Sequence, residues 1–182
     1  MTGYALLLHG INVGGNRKVP MARLRQLLTD LGHEQVATHL NSGNAVFASD
    51  RSDVDELTAQ IRAAVEADLG LDVVMQLRSA AALDRIVADN PLPEAAADPS
   101  HFVVVFLSRT PAANWLESFD AERFPAETLV HRADVLYIWY RNGIGTSKLT
   151  LASLGKTAKE TGTGRNWNTV LTLQSMAAER ER

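Results

Sequence analysis

The stretch QVATHLNSGNAVFA, residues 35–48, decides the fold because it has the pattern of a β-hairpin. Residues 35–40 and 45–48 are short segments rich in β-branched and aromatic side chains. The residues between them, 41–44 (NSGN), are of types that accept left-handed turn geometry. The sequence therefore predicts two antiparallel strands joined by a four-residue turn.

A helix and a strand flank this hairpin on each side. On the N-terminal side, the apolar run 4–8 predicts a buried strand, and Pro20 opens a helix whose apolar residues recur at three- and four-residue spacing. On the C-terminal side, Ser52 marks the start of a second helix, Gly70 closes it, and residues 71–77 form a strand. The resulting order, βαββαβ, is that of a ferredoxin-like (split βαβ) unit, with two helices on one face of a four-stranded sheet.

The second half of the chain repeats this order less regularly. Its predicted elements are a helix at 79–88, a strand at 102–107, a short helix at 110–119, a hairpin at 128–140, and helices at 147–154 and from 166 to about 179. In the last helix, Trp167, Val170 and Leu171 form an expected core stripe. We therefore predict an α+β fold of two tandem ferredoxin-like units, residues 1–78 and 79–182. The second unit is irregular, its last strand is missing or replaced, and it ends in a C-terminal helix.

Composition excludes several classes of protein. A hydrophobic content of 46% with a net charge of −3 argues against disorder. The absence of cysteine excludes disulfides, cysteine-ligated zinc, iron–sulfur clusters and thiol catalysis. The five histidines show no metal-binding spacing, so we expect isolated surface or strand-end histidines and no metal site. No apolar run approaches the length of a spanning helix, and we expect a cytoplasmic protein without a membrane partner.

Positive charge and glycine are concentrated in two segments, residues 1–29 and 141–168. The first has four Lys or Arg residues and no carboxylate, and the second has five against the single carboxylate Glu160. Together the segments contain nine of the twelve glycines. Basic side chains on a backbone that glycine leaves free to turn are what an anion site requires.

Topology places part of this charge at one edge of the predicted first sheet. A right-handed β–α–β crossover makes the first two strands parallel, so the loop 10–18 and the turn 41–44 follow their carboxyl ends together. A predicted helix N-terminus in the second basic segment could add further donors. The candidate ligand-binding residues are Asn12, Gly14, Gly15, Arg17, Lys18, Asn41, Ser42, Asn44, Arg165 and Asn166.

Each feature also has a purely structural interpretation. The glycine loop can be a tight strand-to-helix connection, and the turn 41–44 a structural hairpin. Asn166 is most simply a helix N-cap, and Trp167 a core residue. The loop is not a nucleotide fingerprint, since it lacks both the Lys-Ser/Thr pair of a P-loop and a G-x-G-x-x-G spacing.

Three separated strings carry a family resemblance. LLHGINVGGN at 7–16, NSGN at 41–44 and RNWNTV at 165–170 resemble the uncharacterised bacterial domain-of-unknown-function family 1697. The resemblance covers essentially the whole chain and implies a tandem α+β fold of ferredoxin-like units, but no activity. The sequence departs from the family pattern at His9 and Asn41, where arginine and glutamine are usual.

Three functions are compatible with these residues. The favoured one is a binding module for a phosphate-bearing ligand, either a nucleotide or a nucleic acid. The second is an enzyme acting on such a ligand, with His9 or His39 as acid or base. The third is a structural or subunit-interaction protein in which the glycines only close turns. The sequence assigns no catalytic residue, cofactor or oligomeric state.

Overall fold

The computed structural model describes residues 1–14 and 17–181. The chain divides into two units, Met1–Arg85 with Thr172–Arg182, and Ile86–Leu171. The predicted domains 1–78 and 79–182 stay a prediction. No helix in the described part of the chain is long and apolar enough to cross a membrane.

The first unit contains the predicted ferredoxin-like sheet. Its elements are strands β1 (Thr2–Leu8), β2 (Glu34–His39), β3 (Asn44–Ser49) and β4 (Met75–Ser79), with helices α1 (Met21–Asp30), α2 (Val54–Leu69) and, running on past this unit, α3 (Ala80–Ala88). The strand order is β2-β3-β1-β4, and all neighbours are antiparallel. Because β3 lies between them and runs against both, β1 and β2 point the same way. Their carboxyl ends therefore lie at one edge, as the sequence predicts.

The core of this unit explains the apolar periodicity of its helices. Leu6 and Leu8 of β1 belong to one buried cluster with Leu24 and Leu28 of α1 and Ile61 of α2. Complete burial of a side chain of this size contributes about 1.5–3 kcal/mol relative to exposure. The alternate residues of β1 are buried as well, which is why the strand is continuously apolar rather than alternating.

The second unit has the same strand order. Its elements are β5 (Phe102–Leu107), β6 (Glu127–Arg132), β7 (Val135–Tyr140) and β8 (Gly162–Asn166), with helix α4 (Leu151–Ala158) and, running on past this unit, α5 (Trp167–Ala178). The sheet is ordered β6-β7-β5-β8, again with antiparallel neighbours. The sequence predicts a short helix at 110–119. The structure has a 3-10 turn there, at Trp115–Ser118, and another after it, at Ala121–Arg123.

The prediction that this unit lacks its last strand is wrong. The segment Gly162–Asn166 is strand β8, which pairs with β5 over its whole length. Glycine is unusual in strands. At Gly162, however, a Cβ would come within 2.7 Å of Val105 Cγ1, so the close approach of the two strands explains the small residue.

Helix α5 confirms two predicted core residues, Trp167 and Val170, and corrects a third. Trp167 is buried, and its ring centroid lies 4.8 Å from that of Phe102. Leu171, by contrast, is 38% exposed. The buried stripe of the helix runs through Val170 and Leu173, so Leu171 lies beside it rather than on it.

The start of α2 also differs from the prediction. The N-cap is Asp53, whose carboxylate accepts a hydrogen bond from the backbone N–H of Glu56 at 2.9 Å, rather than Ser52. The predicted end of the helix is confirmed, because Gly70 takes the left-handed conformation, with φ +65°.

His33 corrects the expectation that the histidines are isolated surface or strand-end residues. It is 4% exposed, and its ring stacks on Phe47 with 4.4 Å between centroids. Its Nε2 has no hydrogen-bond partner in the part of the chain that the structure describes. Burial, with a smaller contribution from the positive charge of Arg51, lowers the pKa of the His33 imidazole below its usual value.

This burial predicts a pH dependence of stability. Below about pH 6.5 the unfolded chain protonates His33 while the folded chain resists protonation, so the free energy of unfolding should fall as pH decreases. His33→Phe removes the titrating group and keeps an aromatic ring against Phe47. Denaturant unfolding from pH 7.5 to 5 should therefore show a smaller loss of stability in the variant. An equal loss in both proteins would contradict the assignment.

Candidate functional site

The loop after β1 and the turn after β2 meet at the predicted edge of the first sheet. The backbone N–H of Leu8 donates to the carbonyl of Gly43 at 2.8 Å. Gly43 has φ +80°, and a Cβ there would come within 2.7 Å of Ile11 Cδ1. A glycine is therefore required at this position both by its backbone conformation and by the close packing of the turn.

The side chain of Asn12 connects the loop and the turn through hydrogen bonds. Its Nδ2 donates to the carbonyls of Asn41 at 2.8 Å and Val19 at 3.0 Å, and its Oδ1 accepts from the backbone N–H of Val19 at 2.9 Å. Its φ of +56° lies in the left-handed region that asparagine tolerates better than most residues. Because both ends of the amide are engaged, Asn12 positions the loop rather than presenting a free group.

A cavity of about 410 Å³ lies beside this junction. Its lining residues are Asn12, Lys18, Val19, Pro20, Met21 and Asn41, three of which are predicted site residues. Lys18 is exposed, and its ammonium group has no hydrogen-bond or ion-pair partner among residues 1–14 and 17–181. The structure thus brings Lys18 and Asn41 to one concave surface.

The cavity also lies at the start of helix α1. Pro20 precedes the helix and provides no side-chain cap, and the first turn has no acidic residue. Because the hydrogen bond from Leu24 N to Pro20 O is the first of the helix, the N–H groups of Met21, Ala22 and Arg23 have no helical acceptor. The other four α-helices each begin at a side chain that accepts such a bond, namely Asp53, Ser79, Thr150 and Asn166.

These lining residues include some that sequence reasoning missed. Val19, Pro20 and Met21 are absent from the predicted set because they are apolar. Their signal was nevertheless present in the sequence, since a helix that begins at proline without a Ser, Thr, Asp or Asn cap leaves its first N–H groups available.

Arg17 and Gly14, which the sequence also predicts as site residues, are not among the residues that line the cavity. Arg17 is exposed with φ +52°, and its Nη2 donates to the carbonyl of Asp72 at 2.6 Å. Gly14 is exposed with φ +62° and has open space where a Cβ would lie. Gly15 lies outside the described residues.

The polar side chains of the turn form hydrogen bonds within the hairpin. Asn44 is fully buried, and its Nδ2 donates to the carbonyl of His39 at 3.0 Å and to the hydroxyl of Ser42 at 3.1 Å. This arrangement agrees with the structural interpretation of the turn. His9 follows β1 and His39 ends β2, so both acid–base candidates lie at the same edge.

Arg165 and Asn166 belong to the second unit. Arg165 lies in β8, and its Nη1 donates to the hydroxyl of Thr163 at 2.8 Å and to the carbonyl of Gly164 at 2.9 Å. Burial lowers the pKa of its guanidinium to about 10, so it stays protonated at neutral pH. Asn166 caps α5 by accepting from the N–H of Thr169 at 3.0 Å. A composite site of both basic segments stays a prediction.

The chemistry available beside α1 is that of anion binding. It combines helix N–H donors, the positive end of the helix dipole and the ammonium of Lys18. No three His, Asp or Glu side chains in the described ranges lie close enough together to hold a metal ion.

Asn12→Asp tests the positioning role. The carboxylate keeps the acceptor for Val19 N but sets a negative oxygen against the carbonyls of Val19 and Asn41, so we expect a loss of about 2 kcal/mol in the free energy of unfolding. Asn41→Asp is the matched control, because it makes the same chemical change beside the same cavity at an exposed side chain. It should alter stability by less than about 0.5 kcal/mol in denaturant unfolding. Equal losses in the two variants would refute the positioning role.

Comparison with known proteins gives a family and a related structure. The model of the family described as "Protein of unknown function (DUF1697)" matches residues 1–137. The chain is similar to the solved structure of conserved bacterial protein SP0830 from Streptococcus pneumoniae, with 26% sequence identity and a TM-score of 0.69. The similarity covers 97% of this chain and 98% of that one. No curated protein matches the sequence. The chain thus belongs to the DUF1697 family of proteins of unknown function.

Proposed function

We propose that the first unit is a binding module for a phosphate-bearing ligand, a nucleotide or a nucleic acid, held in the cavity beside α1. The observation that carries this proposal is the uncapped N-terminus of α1 opening beside Lys18. N–H groups without a helical acceptor, and a lysine without an ion-pair partner among the described residues, are complementary to phosphate oxygens.

In this proposal each group has a defined role. The N–H groups at the start of α1 donate to the phosphate oxygens, and the helix dipole contributes about 0.3–1 kcal/mol at an exposed site. The Lys18 ammonium balances the negative charge, and Arg17 raises the local positive potential. Asn12 holds the loop in place. Since few groups contact the phosphate, we expect a Kd of about 1 mM for inorganic phosphate alone, with tighter binding for larger ligands.

Lys18→Gln tests the proposal directly. Isothermal titration of the purified protein with inorganic phosphate should show affinity about tenfold lower in the variant, because removal of one charge-assisted hydrogen bond costs about 1.4 kcal/mol. Lys148→Gln is the matched control, since it removes an exposed lysine outside the cavity and should leave affinity unchanged. Failure of the native protein to bind phosphate, or equal affinity in Lys18→Gln, would overturn the proposal.

Two further experiments test the class of ligand and the extent of the site. Binding of an oligonucleotide should weaken steeply with added salt, whereas a mononucleotide should show a shallow dependence. Arg165→Ala tests the predicted contribution of the second basic segment. A loss of affinity similar to that of Lys18→Gln would support a composite site, and unchanged affinity would restrict the site to the first unit.

A further inference from the structure

The second unit has a cavity of about 650 Å³ that the proposed function does not use. It lies between the segment 110–118, which contains the 3-10 turn Trp115–Ser118, and the end of helix α4 at residues 157–160. A volume of this size is typical of small-molecule sites in proteins.

One wall of the cavity is apolar. Pro111 and Trp115 are buried, as is Ala158 on the opposite side. The Nε1–H of Trp115 is closed to water and has no hydrogen-bond partner within the described part of the chain. Because this N–H is closed to water, it is not a contact group for a ligand in the cavity, and this wall offers apolar surface.

The rim of the cavity has charges of both signs. Lys159 and Glu117 are exposed, and neither forms a hydrogen bond or an ion pair through its side chain with a described residue. A second carboxylate, that of Glu160, accepts a hydrogen bond from the hydroxyl of Ser108 at 2.5 Å. With two carboxylates against one ammonium, the rim is unfavourable for a phosphate group and suited to a ligand that has a positive group itself.

Backbone conformation fixes Lys159 at this rim. It ends α4 in the left-handed conformation, with φ +56° and ψ +31°, a position that glycine usually occupies. A residue with a side chain is strained in this region, so glycine is a replacement that the backbone accepts at this position.

From these observations we propose that the cavity binds a free α-amino acid with an apolar side chain. The carboxylate of the ligand pairs with Lys159, its ammonium group with Glu117, and its side chain lies against Trp115, Pro111 and Ala158. A zwitterion satisfies both unpaired charges, which a simple carboxylate, a simple amine or a phosphate ester does not. This site is in the other unit from the proposed phosphate site and is independent of it.

Titration with L-leucine tests the proposal, with the indole N–H signals observed by ¹H–¹⁵N NMR. The Trp115 signal is assigned by its loss in Trp115→Phe. We expect this signal to shift and saturate with L-leucine, because the ligand changes the surroundings of the indole. Two analogues are the controls, 4-methylpentanoate without the ammonium group and 3-methylbutylamine without the carboxylate. Each should bind at least about tenfold more weakly than leucine.

Three variants distinguish a loss of leucine recognition from a loss of folding. Lys159→Gly removes the charge and relieves the left-handed strain, so it should fold at least as stably as the native protein and bind leucine about tenfold or more weakly. Glu117→Gln should weaken leucine binding to a similar degree. Lys148→Gly, which removes an exposed lysine elsewhere, should bind as the native protein does. The proposal is overturned by a Trp115 signal that does not move at ~10 mM leucine, by analogues that bind as well as leucine, or by native affinity in Lys159→Gly.

Discussion

The side chain of Asn12 joins two stretches of backbone that the ferredoxin-like topology brings to one edge of the first sheet. Its three hydrogen bonds connect the end of the glycine loop at Val19 with the turn at Asn41. They hold Val19, just before α1, close to the turn whose residue Asn41 helps to line the neighbouring cavity. The position of Lys18 and of the first N–H groups of α1 therefore depends in part on polar contacts made by an exposed residue.

The two units share a strand order but differ in what covers their sheets. In the first unit, two long helices pack on the sheet and leave a cavity at a helix N-terminus. In the second, 3-10 turns replace the first helix, and a cavity lies where they approach α4. The same topology thus produces one concave surface with positive charge and another with mixed charge. These differences in charge are the physical basis for assigning the two cavities different ligands.

Local patterns in the sequence predict the first unit well, because its elements are determined by nearby residues. The hairpin at 35–48 follows from its turn residues, and the helices from three- and four-residue apolar spacing. Strand β8 could not be predicted in this way, since Gly162 and Gly164 resemble a loop until they pair with β5. The burial of His33 likewise depends on its contact with Phe47, which is distant in sequence.

Part of the candidate site was predictable, because topology and local charge determine it. Topology correctly brings the loop and the turn together, and charge identifies Lys18. The role of Asn12 was not predictable, because its decisive acceptor is a backbone carbonyl 29 residues away. Pro20 was overlooked as a site residue although it is the feature that leaves the start of α1 without a capping side chain.

Backbone amide shifts during a phosphate titration test the central claim most directly. If phosphate binds at the start of α1, the ¹H–¹⁵N signals of Met21, Ala22 and Arg23 should move together with that of Lys18 and saturate at one common Kd. Shifts that occur elsewhere in the chain, or the absence of any saturable shift at these four residues, would contradict the account.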